Sequence, residues 1–346
     1  MTRASLVLGL IALVYTIEDL GPRTFGHYFR MIGWWWIAVL AFEVAITSFD
    51  ALAIRAFASP DQVPWRGALL AQLAGRSVNA VTPSGNLGEP VKISVLTDHV
   101  DNSRAVSTIL LYNIVGFAVE LWQVALAAPI MALLVPMPES LRILFISAGI
   151  VSLVLAVFVY LIVRAGVLAS IARIAVRLRL LSEARFARWS ARISSIDDKL
   201  RLVAGARRRD RIVGIAAIVL SRAMSLAESL LLLELTGVGM SIHFIAAYTV
   251  GGFVIYMLSS LVPMGLGIAE AGYYGLFAEL GYKPSLGVMI VLARRVVLIA
   301  YATLGLFLVM ASETVRRARD TVPAEPDAIS VGSLPVAPAT VTKSAD

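Results

Sequence analysis

The chain has 346 residues, of which 59% are hydrophobic, 15% are charged and none is cysteine. A soluble domain is nearer half apolar and a quarter charged, so this composition excludes an ordinary soluble enzyme, and the lack of cysteine excludes a disulfide-stapled fold. The net charge of +7 is concentrated in one segment, which argues against a nucleic-acid-binding protein.

Charge-free runs identify the class of protein. Residues 143–163, between Arg142 and Arg164, contain no charge and are long enough to cross a hydrocarbon core of about 30 Å as a helix. Similar charge-free runs occupy residues 244–269 and 296–312. These runs predict an all-α polytopic membrane protein.

About six full transmembrane helices are predicted in chain order, over residues 4–20, 31–57, 104–135, 141–165, 211–238 and 285–314. The first resembles the apolar part of a signal peptide, but Glu18 and Asp19 follow it without a small-residue cleavage site, so we expect it to be retained. The helices form a single transmembrane domain over residues 1–315. Residues 316–346 form a cytoplasmic tail that is predicted to be disordered, because its sequence is rich in Pro, Ala, Ser and Thr.

One basic loop predicts the orientation in the membrane. From Arg164 to Arg211, thirteen lysines and arginines stand against four acidic residues. Loops rich in Lys and Arg stay in the cytoplasm, so the loop over residues 166–210 is predicted to be cytoplasmic. Arginines after the last helix place the C-terminus there as well. We expect a multi-pass protein of the inner (plasma) membrane whose N- and C-termini are both cytoplasmic.

The same loop carries an amphipathic helical pattern. Apolar residues from Phe186 to Leu200 recur every three or four positions, with basic residues among them. A basic amphipathic helix binds an anionic membrane surface. The residues expected to contact that surface are Arg185, Arg188, Trp189 and Arg192. The alternative is a helix packed beneath the bundle and oriented by its positive charge alone.

Two segments, residues 67–97 and 242–281, are interrupted by Pro and Gly. The basic loop and the C-terminus lie on the same side of the membrane, and the predicted helices over residues 211–238 and 285–314 each cross it once between them. Segment 242–281 must therefore enter and leave the membrane on the other face. Segment 67–97 does the same from the cytoplasm. Each is therefore predicted to be a broken, re-entrant helix pair, and for 242–281 two thin full spans are the alternative. Both contain Pro-x-Gly, a second Gly and then Glu, which indicates an inverted repeat.

These interruptions predict a binding or transport site. Pro and Gly end a helix and leave backbone groups unpaired, which is tolerated at membrane depth only inside the protein or beside a wet cavity. The helix that restarts after each Gly presents N–H groups and a positive dipole end, which suits an anionic headgroup such as phosphate. The candidate residues are Asn79, Pro83, Gly85, Gly88, Glu89, Lys92, Pro263, Gly265, Gly267, Glu270 and Arg295. A simple helix kink is the alternative.

Further charges fall inside the predicted helices, namely Glu43, Asp50, Glu120, Arg222, Glu228, Glu234 and Arg294. Each costs roughly 2.5–3.5 kcal/mol at a helix centre on insertion scales, so their number predicts a polar interior. Glu43 and Asp50 are seven residues apart and share one helix face. The alternative is a set of structural ion pairs and of side chains that reach the membrane surface.

The two broken segments resemble known signatures. The stretch from Asn79 to Lys92 resembles a motif with Asn, then Pro-Gly, then Gly-Gly-Asp/Glu and an Arg three residues later. Pro263 to Glu270 resembles a second signature of the same family, and Arg295 resembles a third. That family is the flippase-like transmembrane domain of lysylphosphatidylglycerol synthases, here as a stand-alone member without the aminoacyltransferase domain. The sequence departs from the first signature at Leu87, where Gly is usual, and at Lys92, where Arg is usual.

The resemblance implies translocation, or flipping, of a polar-headed lipid across the inner membrane. The lipid class stays open between phospholipids and isoprenoid- or hopanoid-linked lipids. The partners expected are membrane lipids with anionic headgroups and a lipid-modifying enzyme, and no nucleic acid. The alternative is a membrane-embedded transferase or an accessory subunit acting on a lipid-linked substrate. The sequence shows no catalytic constellation, metal-ligand spacing or nucleotide-binding loop, so we expect no enzymatic activity and no cofactor.

Overall fold

The computed structural model describes most of the chain, as residue 30 and residues 33–81, 87–134, 137, 139–165, 207–235, 238–239, 241–259 and 267–320. Within these ranges there are nine α-helices, a short 3-10 turn over Gly33–Trp35 and no strand. The helices are α1 (Trp36–Ala58), α2 (Trp65–Val81), α3 (Gly88–Leu96), α4 (Asn102–Leu134), α5 (Glu139–Ala165), α6 (Arg208–Leu235), α7 (Ile242–Ser259), α8 (Ile268–Glu279) and α9 (Pro284–Asp320). Residues Met1–Val309 belong to one compact unit, which contains the helix contacts.

Six stretches are long and apolar enough to cross a membrane, namely Gly33–Ala58, Asn102–Leu134, Arg142–Leu161, Arg208–Leu235, Ile242–Ser259 and Pro284–Phe307. This confirms the predicted all-α polytopic membrane class. These six stretches are not the same as the six predicted helices. The predicted helix over residues 4–20 lies outside the described residues, and Ile242–Ser259 was expected to be part of a broken segment.

Each predicted broken segment contains two helices, α2 with α3 and α7 with α8. At about 1.5 Å per residue, the 18 residues of α7 extend about 27 Å, whereas the 12 residues of α8 extend only about 18 Å. In the other segment, too, the first helix is the longer one, because α2 has 17 residues and α3 has 9. In both segments, therefore, the second helix is too short to cross the bilayer by itself.

The order of helix lengths is repeated along the chain. Helices α1 to α4 contain 23, 17, 9 and 33 residues. Helices α6 to α9 contain 28, 18, 12 and 37 residues. The long, medium, short, long order in both sets is what the inverted-repeat hypothesis expects, because each short helix follows the break of its segment.

Apolar packing joins the helices into one core. On α1, Ile54 and Phe57 pack with Ile109 of α4 and Ile218 of α6, and all four side chains are buried. A second cluster packs the start of α1 against α6 and α9, and two others connect α7 with α4, α5, α6 and α8. Helix α5 packs on α4 and exposes most of its apolar residues, as expected for a lipid-facing helix.

Gly88 lets the start of α3 lie directly on α2. A Cβ atom at Gly88 would stand 2.0 Å from the carbonyl oxygen of Gly75 and 2.5 Å from Oδ1 of Asn79. Since backbone cannot move aside cheaply, we expect Gly88→Ala to lower the free energy of unfolding by about 1–3 kcal/mol. Chemical unfolding of the purified protein in detergent measures this. The control is Gly275→Ala in α8, where an added Cβ meets nothing within 4 Å. Equal stability of the two variants would contradict the prediction.

Candidate functional site

A cavity of about 970 Å³ lies among the helices and is lined by side chains from every described helix except α5. Its charged lining residues are the acids Glu43, Asp50, Glu89, Glu120 and Glu228 and the bases Arg76, Lys92, Arg222, Arg294 and Arg295. Ten charged groups around one cavity are costly in a membrane unless they contact water, one another or a substrate. The arrangement therefore makes the cavity the candidate functional site.

The start of α3 is held by side-chain contacts at one edge of the cavity. The Gly88 N–H donates to Asn79 Oδ1 at 2.6 Å, and Asn79 Nδ2 donates to Glu89 Oε1 at 3.3 Å. Lys92 Nζ lies 3.0 Å from the same Glu89 oxygen, and Asn113 of α4 donates to the other at 2.9 Å. Glu89 is thus fixed in the first turn of α3 by two amides and one cation.

The start of α8 repeats this arrangement with different partners. Gly267 precedes the helix with φ of 80°, a left-handed conformation that glycine adopts without strain. Its N–H donates to Glu270 Oε2 at 2.8 Å, while Glu270 Oε1 lies 2.7 Å from Nη2 of Arg295 on α9. Here too a first-turn carboxylate is paired with a cation at the cavity.

These contacts change the expected role of the helix starts. The sequence predicted open N–H groups ready for an anionic headgroup. In the structure Asn79 and Glu270 accept the Gly88 and Gly267 N–H groups, and Glu89 and Glu270 supply the negative charge that a helix N-terminus favours. Because Lys92 and Arg295 are paired with these carboxylates, an anion must displace a carboxylate to bind either cation.

Other predicted residues fall in two groups. Pro83, Gly85, Pro263 and Gly265 lie outside the described residues, as do the membrane-surface residues Arg185, Arg188, Trp189 and Arg192. Among the further predicted charges, the structure places Glu43, Asp50, Glu120, Arg222, Glu228 and Arg294 at the cavity. Glu234, by contrast, is exposed and does not line it.

Arg76 is the central residue that the sequence analysis missed. Its guanidinium lies 2.8 Å from Glu43, donates to Thr47 Oγ1 at 2.9 Å and stands over the Tyr301 ring at 4.8 Å from the centroid. The hydroxyls of Thr47 and Tyr301 are also hydrogen-bonded. Arg76 thereby connects α2 with α1 and α9.

A sequence signal for Arg76 was present. Gln72, Arg76 and Asn79 are spaced by four and three residues, which places them on one face of α2. All three line the cavity. A polar stripe on a helix that is mostly small and apolar marks an interior-facing surface in a membrane protein.

Arg294 is the most accessible cation of the cavity. It is an exposed residue, and no described carboxylate lies within 4.0 Å of it. It interacts with Tyr248 and Tyr273, whose ring centroids are 5.6 Å apart. Arg76, Lys92, Arg222 and Arg295, in contrast, are each paired with a carboxylate.

The lining also contains large exposed apolar and aromatic side chains. Phe117 of α4, Tyr256 of α7 and Leu298 of α9 are exposed and line the same cavity as the charged residues. The cavity therefore offers both ionic and apolar contacts to one ligand.

Comparison with known proteins identifies the family. No curated protein and no solved structure matches the chain. A family model described as the lysylphosphatidylglycerol synthase TM region matches residues 3–305, nearly the whole chain. The chain therefore belongs to the lysylphosphatidylglycerol synthase transmembrane-region family.

Proposed function

We propose that this protein moves a polar-headed lipid between the two leaflets of the inner membrane, with both of its termini in the cytoplasm. The observation that carries this proposal is the cavity of about 970 Å³ with charged and exposed apolar residues in one lining. A lipid needs both surfaces at once, because its headgroup must exchange water for polar contacts while its chains stay in apolar surroundings. Membership in a family of membrane regions from a lipid-synthesising enzyme supports a lipid substrate.

Arg294 is the proposed anchor for the anionic part of the headgroup. A guanidinium binds phosphate through two parallel hydrogen bonds, and no described carboxylate lies within 4.0 Å of Arg294, which Glu228 attracts from farther away. The hydroxyls of Tyr248 and Tyr273 lie beside it and can donate to the remaining phosphate oxygens. The class of substrate that fits is a phospholipid or an isoprenoid- or hopanoid-linked lipid with an anionic headgroup.

The carboxylates at the helix starts have a complementary role in this proposal. Glu89 and Glu270 hold Lys92 and Arg295 in place while the cavity is empty. A headgroup phosphate that reaches these cations replaces the carboxylates, and an amine on the headgroup can pair with them. We further propose that translocation requires no chemical step on the lipid, and that a lipid-modifying enzyme supplies or consumes it.

Vesicles containing the purified protein and a fluorescent lipid test the proposal, with a membrane-impermeant reductant reporting the lipid in the outer leaflet. We expect the wild type to accelerate translocation and Arg294→Gln to slow it by about 10-fold or more, because a hydrogen-bonded charged contact contributes about 1.5–3 kcal/mol. The matched control is Arg142→Gln, which removes an exposed arginine of α5 outside the cavity.

The proposal would be wrong if vesicles with the wild-type protein moved every tested lipid only at the rate of protein-free vesicles. The lipids should include an anionic phospholipid, a zwitterionic phospholipid and an isoprenoid phosphate. Formation of a modified lipid in detergent micelles, where no leaflets exist, would instead favour the transferase alternative.

A further inference from the structure

Asp50 is a buried carboxylate that the ion pairs of the cavity leave over. It lies on α1 with 2% of its surface exposed and lines the cavity. Two arginines approach this part of the cavity, but Arg76 is paired with Glu43 at 2.8 Å and Arg222 with Glu120 at 3.1 Å. Among the described residues, no cation lies within 4.0 Å of Asp50.

The hydrogen bonds of Asp50 are also incomplete. Its Oδ2 accepts one from Gln72 Nε2 at 2.9 Å, and the same Gln72 nitrogen donates to the Tyr112 hydroxyl at 3.3 Å. The Tyr112 hydroxyl also interacts with the Asp50 carboxylate, but the buried Oδ1 has no hydrogen-bond partner of good geometry among the described residues. An ionised carboxylate normally accepts several hydrogen bonds, so one of its oxygens is available for a ligand.

Counting the charges around Asp50 shows an excess of one negative charge. The groups that face it are Glu43 from α1, Arg76 from α2, Tyr112 and Glu120 from α4, Arg222 from α6 and Tyr301 from α9. The two arginines balance the two glutamates, and the tyrosines are neutral. The group is therefore neutral when Asp50 carries a proton and negative when it does not.

A proton suits this position better than a metal ion. The Gln72 amide N–H that donates to Asp50 repels a cation, whereas metal ions such as Ca²⁺ take about six to eight oxygen ligands. In the described part of the chain, no three His, Asp or Glu residues are grouped to hold a metal. A proton needs only the Oδ1 atom, and Asp50 lines the cavity from which a proton can reach it.

We propose that Asp50 binds and releases a proton in each transport cycle and so couples lipid movement to the proton gradient across the membrane. The proposal rests on the proposed lipid translocation. Proton binding neutralises the group between α1, α2, α4 and α6 and removes the cost of an uncompensated charge in the membrane. Proton loss restores that cost, so the two states favour different helix arrangements and different access to the cavity.

Translocation measured in vesicles with an imposed pH gradient tests the coupling. For the wild type, a gradient of one pH unit should change the rate of lipid movement by up to about 10-fold, as expected for one coupled proton. Asp50→Asn, which keeps an acceptor for Gln72 and mimics the protonated carboxyl group, should move lipid at a rate that does not respond to the gradient. The control Asp61→Asn changes an exposed aspartate beyond the end of α1 and should respond as the wild type does.

Infrared spectroscopy of the protein in membranes provides a readout that does not require transport. The C=O band of protonated carboxyl groups should grow as the pH is lowered, and one component of it should be missing in Asp50→Asn and present in Asp61→Asn. Failure of the wild type to move any lipid would overturn the proposed function, and the infrared band would still decide whether Asp50 binds a proton. An unchanged gradient response in Asp50→Asn, or a band in Asp50→Asn with every component of the wild-type band, would overturn this inference alone.

Discussion

Replacing Arg76 with glutamine is expected to lower the free energy of unfolding by about 3–5 kcal/mol, the cost of breaking a buried ion pair from one side. Glu43 is 6% exposed and Arg76 is its partner at 2.8 Å, so the variant leaves a negative charge without compensation inside the membrane. The contacts of Arg76 with Thr47 and with the Tyr301 ring are lost as well. Chemical unfolding in detergent micelles, monitored by helix content, measures the difference.

The double variant Glu43→Gln with Arg76→Gln separates charge from packing. It removes both charges, and two amides of similar size can hydrogen-bond to each other, so we expect it to recover most of the lost stability. If the double variant is as unstable as Arg76→Gln alone, the unpaired charge is not the cause and the loss belongs to the contacts with Thr47 and Tyr301.

Glu270→Gln is expected to slow lipid translocation by about 10-fold or more, because the charged contact that positions Arg295 contributes about 1.5–3 kcal/mol. The substitution is selective for charge. A glutamine at this position still accepts the Gly267 N–H, as Glu or Gln does three residues after a helix cap, so α8 keeps its start. The initial rate of translocation in vesicles is the quantity to compare.

Two further variants make this test specific. Glu279→Gln removes an exposed carboxylate at the other end of α8 and should leave the rate unchanged. Glu270→Ala removes both the charge and the cap, so it should also lower the free energy of unfolding by about 0.5–2 kcal/mol relative to Glu270→Gln. Transport by Glu270→Gln at the wild-type rate would show that the ion pair with Arg295 is structural.

The membrane class and the positions of the breaks were predictable from the sequence. Charge-free stretches and the cost of burying charge are local properties, so they place the five long helices α1, α4, α5, α6 and α9 within about six residues at each end. The last helix ends at Asp320, a few residues beyond its predicted end. The least predictable segment was 242–281, because hydropathy does not distinguish an 18-residue span from half of a broken pair.

The candidate site was predictable only in part. Glu89, Lys92, Glu270 and Arg295 were expected at the breaks, and the structure places Glu89, Lys92 and Arg295 in the cavity lining and Glu270 against Arg295. At each helix start one N–H group, that of Gly88 or Gly267, donates to a side chain of the same protein. A helix start attracts its own first-turn carboxylate as well as an anionic ligand. Only the tertiary structure shows that the carboxylate lies close enough to compete with the ligand.

By itself, the sequence determined which side chains are costly in a membrane, because that cost depends on residue type and on the apolar length around it. Only the tertiary structure decided which charges compensate one another. Glu120 meets Arg222 and Thr47 meets Tyr301 across long separations in the chain, through the packing of α4 on α6 and of α1 near α9. The same packing leaves the buried carboxylates of Asp50 and Glu228 without a cation within 4.0 Å among the described residues, and neither could be found by counting residues.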